Sequence, residues 1–498
     1  MKKSFLIHPL LFVLYPTFHL YSQNLNEFSF HAILLPTIVL SLLTIFLFFS
    51  LGLLLKDYHK AAAGLSFFWL WFFSYDAFRT QIFQITDIII FRHRYLMIVW
   101  SFVLIVMIIG FIKIRFNFRR ITKYLNLAAC ILIVSTLMHM LNSRPISDRD
   151  SLETHKEDFP ELHSLSNKNL LPNIYYIILD TYGGSKDLKE LLGYDNREIT
   201  AFLISKGFYV ATNSRSNYAW TRPSMAASLN MKYLPSEADE KNPGHFKLNL
   251  NLNLVRMIEN NEVLAFLRSI GYKYADLSIW NGLFLSSNYQ TNYQYHYNVF
   301  SHGLLQMSIL GKPVFDNYLM GRLKRKEIIN QLEALETVSN IVSNINEPTF
   351  VYAHFGVPHG PFVFDQFGNE YPFFRQLMQT DERNLYVNQL IYTNTLLKRV
   401  IGAILEKSER PPIIIIQGDH GPRALCSNHE DNVRLRMSIF NAFYLPNKGA
   451  TVLYDSITPV NTFRVIFNYY FGTNYELLED RSYYQVRDYN NSKLILIN

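Results

Sequence analysis

The chain has 498 residues, 49% of them hydrophobic and only 17% charged, with a formal net charge of +7; that length allows more than one domain, and that charge content is too low for a wholly soluble protein. The positive balance sits in Lys2, Lys3, Lys113, Arg115, Arg119, Arg120 and Lys123, with no acids interleaved, so the rest of the chain is neutral and the charge implies no nucleic-acid partner. The cysteines are Cys130, in an apolar stretch, and Cys426, in the globular part; they are not expected to pair, so the globular part is expected to fold without disulfides.

Residues 1–141 read as a transmembrane domain of about five helices. Ala32–Leu55, Tyr95–Ile112 and Tyr124–Leu141 are charge-free, and Ala61–Tyr75 reaches spanning length if it continues past Asp76 to Phe78. Phe5–Tyr21, with His8, Pro9, Pro16 and His19, is either a first span or a signal-peptide core. Five spans with the N-terminus inside put both basic groups in the cytoplasm and everything after Leu141 outside, although Arg92-His93-Arg94 then lies on the wrong side for the positive-inside rule.

Residues 142–171 are polar without periodicity and read as a linker, and residues 172–498 as an extracytoplasmic domain. Its elements alternate. The run Asn173–Asp180 is a strand, and Ser185–Leu192 a helix. Ile199–Gly207 and Glu262–Gly271 are helices closed by glycine, each followed by a strand, Phe208–Ala211 and Tyr272–Leu277. Helix Glu327–Ile345 leads to strand Thr349–His354, and helix Leu385–Lys407 to strand Ile413–Gln417. Residues 281–325 give no clear pattern, and there is no internal repeat. Alternating strands and helices with continuous apolar strands predict an α/β/α sandwich on a mostly parallel sheet, whose ligand site lies beyond the C-terminal strand ends.

Chemistry-bearing residues gather at those ends. Asp419 and His420 follow the run Ile413–Ile416 between Gly418 and Gly421 and can aim at one metal ion, or be a capping Asp beside a surface His. Asp180 ends the strand run and is either a metal ligand or a turn carboxylate. Thr221, before Arg222-Pro223-Ser224, opens a helix-like run and is either an activated nucleophile or an ordinary N-cap. His354 and His359, among two glycines and two prolines, read as a fixed loop that could hold an oxyanion or protonate a leaving group, or as one core and one surface histidine. Arg423 could clamp the same anion or form a structural salt bridge.

Together the strand-end Asp180 of YYIILDTYGG, the segment Thr221-Arg222-Pro223-Ser224, the loop HFGVPHGPF and the run IIIIQGDHGPR resemble the alkaline phosphatase/sulfatase superfamily. The likeness is to its membrane-anchored branch, with lipoteichoic acid synthases and phosphoethanolamine transferases, and spans roughly 172–470. It implies Asp180, Thr221, Asp419 and His420 as ligands of one divalent metal, manganese or zinc, with Thr221 as nucleophile. His354, His359 and Arg423 would face the substrate, and His359 would share in catalysis. It also implies a multi-pass protein of the bacterial cytoplasmic membrane. Sulfatases carry Cys or Ser, oxidised to formylglycine, in a C/S-x-P-S-R signature; here Thr221 and Met225 stand in those positions. The transferases carry Glu at the first ligand position, where this chain has Asp180, and phosphoethanolamine transferases have paired cysteines that it lacks.

The reading that follows is a membrane-anchored, metal-dependent phospho-group transferase or phosphodiesterase of the cell envelope, acting on phospholipid or envelope glycan. The alternatives are a sulfate-ester hydrolase and a non-catalytic, anchored glycan-binding module.

Overall fold

The computed structural model describes residues 5–25, 31–85, 93–114, 116–142, 171–238, 242, 244–248, 254–277, 284–285, 299–310, 325, 328–329, 347–372, 375, 381–423, 425–486 and 493–497. The expected linker and the expected helix Glu327–Ile345 lie almost wholly outside the described residues. The chain forms two compact units, Met1–Glu153 with Tyr297–Asp316, and Thr154–His296 with Asn317–Asn498.

The first unit contains helices α1 (His8–Gln23), α2 (His31–Leu55), α3 (Tyr58–Phe73), α4 (Tyr75–Ile85), α5 (His93–Lys113) and α6 (Phe118–Asn142). Three of the described helices are long and apolar enough to cross a membrane, over Ile33–Leu55, Leu96–Lys113 and Phe118–Leu141. They expose Leu42, Phe46, Leu54, Phe102, Ile112 and Leu141, an apolar surface that suits lipid. The expected count of about five is therefore approximate. Helices α1 and α3 have 16 residues each, which at ~1.5 Å per residue falls short of a ~30 Å hydrocarbon core.

The expected span Ala61–Phe78 breaks because α3 ends at Ser74, whose N–H bonds to the Leu70 carbonyl, before α4 begins. Helix α1 is a packed part of the unit: Val13 joins Leu65, Trp69 and Phe73 in one apolar cluster. At its start the His8 N–H donates to Asn126 Oδ1 at 3.0 Å, and His8 Nδ1 lies 2.6 Å from Ser66 Oγ.

The second unit holds strands β1 (Ile174–Leu179), β2 (Tyr209–Ala211), β3 (Ser236–Ala238), β4 (His245–Leu248), β5 (Lys273–Asp276), β6 (Phe284–Leu285), β7 (Thr349–Phe355), β8 (Ile413–Gly418), β9 (Asn441–Tyr444), β10 (Ser482–Val486) and β11 (Lys493–Ile497). Seven form one sheet in the order β2-β9-β8-β1-β7-β5-β6. Its central strands β8, β1, β7 and β5 are parallel, and the outer pairings are antiparallel.

All six residues of β1 are buried, which explains its unbroken apolar run. Tyr175, Ile177 and Leu179 enter a core shared with Leu385, Tyr386, Leu390 and Leu397 of helix Glu382–Lys407. Ile174, Tyr176 and Ile178 enter the opposite core with Phe266 of helix Glu262–Ser269 and with Phe463 and Phe467 of helix Pro459–Phe471. Two apolar faces on one sheet make the α/β/α sandwich.

The small antiparallel sheet β10-β11-β4-β3 was not legible in the sequence. Its strand β3 is three exposed residues, Ser236–Ala238, with no alternation to read. Register then sets up the site. Leu179 of β1 pairs with Phe355 of β7 on one side and with Gly418 of β8 on the other. The next residues, Asp180 and Asp419, therefore leave adjacent parallel strands at the same level, ~4.8 Å apart by strand spacing.

Candidate active site

The site grows from the C-terminal ends of β1, β8 and β7. Asp180, Asp419 and His420 are buried, and one ligand atom from each lies within 4.8 Å of the others. Asp180 is held by its backbone, its N–H donating to the Phe355 carbonyl at 3.0 Å and its carbonyl accepting the His359 N–H at 3.1 Å. These bonds fasten the end of β1 to the loop after β7. Asp419 Oδ1 accepts the N–H of Thr181 at 2.9 Å and of His420 at 2.8 Å. Thr181 sits in the left-handed region at φ 66°, unusual for a β-branched residue. The Asp419 bond and the Tyr386 hydroxyl, which donates to the Thr181 carbonyl at 2.9 Å, hold it there.

His420 Nδ1 lies 3.1 Å from the Gly421 carbonyl. A carbonyl only accepts, so the proton is on Nδ1 and Nε2 keeps its lone pair. That nitrogen lies 3.1 Å from Thr221 Oγ1 and 3.2 Å from Asp419 Oδ2. Burial lowers the His420 pKa to about 3, so the ring is neutral at physiological pH. Burial also works against the Asp419 charge, but the imidazoles of His420 and His354 and the Thr181 N–H hold the carboxyl below its ordinary range.

Thr221 is the first residue of helix Thr221–Leu229, which starts after Trp220. The segment before it is locked in place. The Asn217 carbonyl accepts the Tyr483 N–H at 2.9 Å, and the Tyr218 ring stacks on Tyr483 at 5.6 Å. Ser224 Oγ, one turn into the helix, donates to the Asp419 carbonyl at 2.6 Å and ties the helix to the loop after β8.

Gly418 and Gly421 are needed for close packing of backbone. A Cβ on Gly418 would meet the Tyr182 carbonyl, and one on Gly421 would meet the carbonyls of Leu435 and Ser438.

The other candidates take distinct places. His354, on β7, is fully buried, with Nδ1 3.3 Å from the Tyr352 hydroxyl. Burial lowers its pKa to about 4. His359 is exposed, and its Nδ1 lies against the Gly360 carbonyl, which leaves Nε2 as its basic nitrogen. Arg423 is exposed, with its guanidinium carbon 5.3 Å from the Trp220 ring.

Two contributors were missed. Arg436 is buried: Nε donates to the Ala219 carbonyl at 2.6 Å and Nη1 to the Gly421 carbonyl at 2.9 Å. Its Nη2 is 3.3 Å from His420 Nε2, and its guanidinium carbon is 4.9 Å from the Trp220 ring. Burial lowers its pKa to about 10, which keeps it protonated. In sequence it is one of two arginines in a polar helix, and only the fold turns it inward. Thr181 was passed over beside Asp180; the turn after a strand-end carboxylate was the signal available.

The donor set fits a small divalent cation. Carboxylate oxygens and a neutral imidazole nitrogen converge in a buried place, and one buried oxygen of that cluster, Asp419 Oδ2, has no hydrogen-bond partner.

The sulfatase family model matches residues 172–446, more than half of the chain. The chain belongs to the sulfatase family. It is a membrane-anchored enzyme of that family, so the non-catalytic module reading falls. No curated protein matches it in sequence. Similar solved structures include the periplasmic domain of phosphoethanolamine transferase EptC from Campylobacter jejuni, with 14% identity, 60% of this chain and 89% of that chain covered, and TM-score 0.36. The corresponding domain of EcEptC from Escherichia coli has 12% identity, 66% and 92% coverage and TM-score 0.39. The integral membrane lipooligosaccharide phosphoethanolamine transferase A of Neisseria meningitidis has 12% identity, 92% and 94% coverage and TM-score 0.35.

Proposed function

We propose that this enzyme transfers or hydrolyses a phospho-group at the outer side of the bacterial cytoplasmic membrane, with Thr221 as nucleophile. The observation that carries the reading is Thr221 Oγ1 lying 3.1 Å from His420 Nε2, at the edge of the buried Asp180, Asp419 and His420 cluster. Asp180, Asp419, His420 and Thr221 Oγ1 would hold one divalent cation, manganese or zinc, whose charge would favour ionisation of the Thr221 hydroxyl and offset negative charge on the transferred group.

Thr221 Oγ1 attacks phosphorus in line, the new P–Oγ bond forms, and the bond to the leaving oxygen breaks. His359, exposed and fastened through its backbone to Asp180, takes the Thr221 proton on Nε2 through water and passes it to the leaving oxygen as that bond breaks. In the second half, water or an acceptor hydroxyl attacks phosphorus and gives its proton to His359 Nε2, which passes it to Thr221 Oγ1 as the P–Oγ bond breaks. Arg423, stacked on Trp220 beside the nucleophile, supplies two N–H donors to the oxyanion. His354 has no exposed surface and acts from behind Asp419 rather than on the substrate. The substrate is a phospholipid head group or an envelope glycan.

Sulfate-ester hydrolysis is the second reading, favoured by the sulfatase family match itself. Against it, oxidation of the Thr221 carbinol carbon gives a ketone, not formylglycine. The test is intact mass of the purified chain after incubation with candidate phospholipids and with sulfate esters. A phosphorus-containing adduct that disappears in Thr221→Ala is the expected result. Turnover of sulfate esters with none of phosphodiesters would replace this reading with the second, and a chain that binds no divalent metal would sink both.

A further inference from the structure

The helix Val299–Gln306 and the residues after it lie in sequence between β6 and β7 of the catalytic sheet, yet they fold within the first unit. Leu304 is 5% exposed and shares an apolar cluster with Val13, Leu65, Trp69 and Phe73. Ile309, 7% exposed, packs with Trp71, Tyr75 and Leu96. Backbone bonds fix the segment as well: the Ile309 N–H donates to the Phe72 carbonyl at 3.2 Å, and the Asp76 N–H to the Met307 carbonyl at 3.3 Å. Gly303 lets the helix approach α1, since a Cβ there would stand 3.2 Å from Leu20 Cδ2.

These contacts fall at one end of the helical unit. Leu20, Phe72 and Asp76 belong to the last turn of α1, the last turn of α3 and the first turn of α4. The opposite end is marked by other bonds. His59 Nδ1 meets Thr122 Oγ1 at 3.1 Å, and Lys60 Nζ donates to the Ile112 carbonyl at 3.0 Å, which joins the starts of α3 and α6 to the end of α5. That end carries Lys60, Lys113, Arg119, Arg120 and Lys123, the basic side that faces the cytoplasm by the positive-inside rule. The segment therefore sits at the outer end.

We infer that residues 299–310 are a strap: a segment of the chain between β6 and β7 that is held at the outer end of the membrane helices, so that the chain returns to them a second time, independently of the linker 142–171. The burial of Leu304 and Ile309 and the two backbone bonds hold it without any covalent help. The inference does not depend on which ester the site cleaves.

The test uses the full chain in its native membrane, in a Cys130→Ser, Cys426→Ser background, with a protease site inserted in the linker. After cleavage, the C-terminal fragment is expected to stay with the membrane pellet in high salt. Adding Leu304→Arg and Ile309→Asp is expected to move most of it to the supernatant, with its circular dichroism retained as a check on folding. Separately, Leu20→Cys with Gly303→Cys is expected to give one oxidised band that survives linker cleavage and splits on reduction. Release of the fragment on linker cleavage alone, or no cross-linked band under oxidation, would overturn the strap.

Discussion

At the scale of single residues, burial decides protonation. His354 is fully enclosed beside Tyr352 and within the field of Asp419, and its pKa falls from 6.5 to about 4. As pH drops, the unfolded chain takes up this proton first, so the stability His354 allows is complete above pH 6.5 and is lost between there and about pH 4. The loss is of the order of ~3 kcal/mol. Urea midpoints of wild type and His354→Gln between pH 7 and 4 read it: the variant is expected to show a shallower fall on the acid side, and equal slopes would refute the assignment. Residue identity alone could propose Asp180, Asp419, His420 and Thr221, because strand-end acids and a hydroxyl at a helix start are visible in sequence. Arg436 could not be proposed, since its bonds to Ala219 and Gly421 and its approach to His420 join segments far apart in the chain.

At the scale of elements, the loop bearing His359 owes its shape to one side chain from helix Glu382–Lys407. Gln389 Oε1 accepts the N–H groups of Val363 at 2.9 Å and Phe364 at 3.3 Å, while Nε2 donates to the carbonyls of Pro358 at 3.1 Å and His359 at 2.9 Å. Gln389→Ala leaves those backbone groups without partners in a closed space, a loss of ~2–4 kcal/mol. Thermal unfolding should show the drop, and a variant as stable as wild type would mean that water replaces the amide. The sequence marked the loop as fixed by its prolines and glycines but gave no sign of the clamp. The strands β1, β7 and β8 were legible because burial on both faces makes them apolar throughout. Strands β3 and β4 were not, because they are only three and four residues long and the strand that completes their pairing, β11 against β4, is far away in the chain.

At the scale of the whole molecule, the division into units does not follow chain order. A fragment spanning 171–498 carries Leu304 and Ile309 without the helices that cover them. It is expected to associate or to require detergent, and replacing residues 297–310 by a Gly/Ser chain is expected to give a monodisperse species by gel filtration and light scattering. A monodisperse 171–498 fragment in plain buffer would show that the segment folds with the catalytic part instead.

The sequence by itself determined the membrane helices, the α/β/α domain and the four residues put forward for its site, because hydrophobic length, strand burial and short motifs are local properties. Only the tertiary structure decided that parallel register sets Asp180 beside Asp419, that Arg436 turns inward, and that residues 299–310 pack with the membrane helices rather than with the catalytic sheet. Those outcomes depend on contacts between segments tens to hundreds of residues apart, and no local pattern of side chains encodes which distant surface a segment will cover.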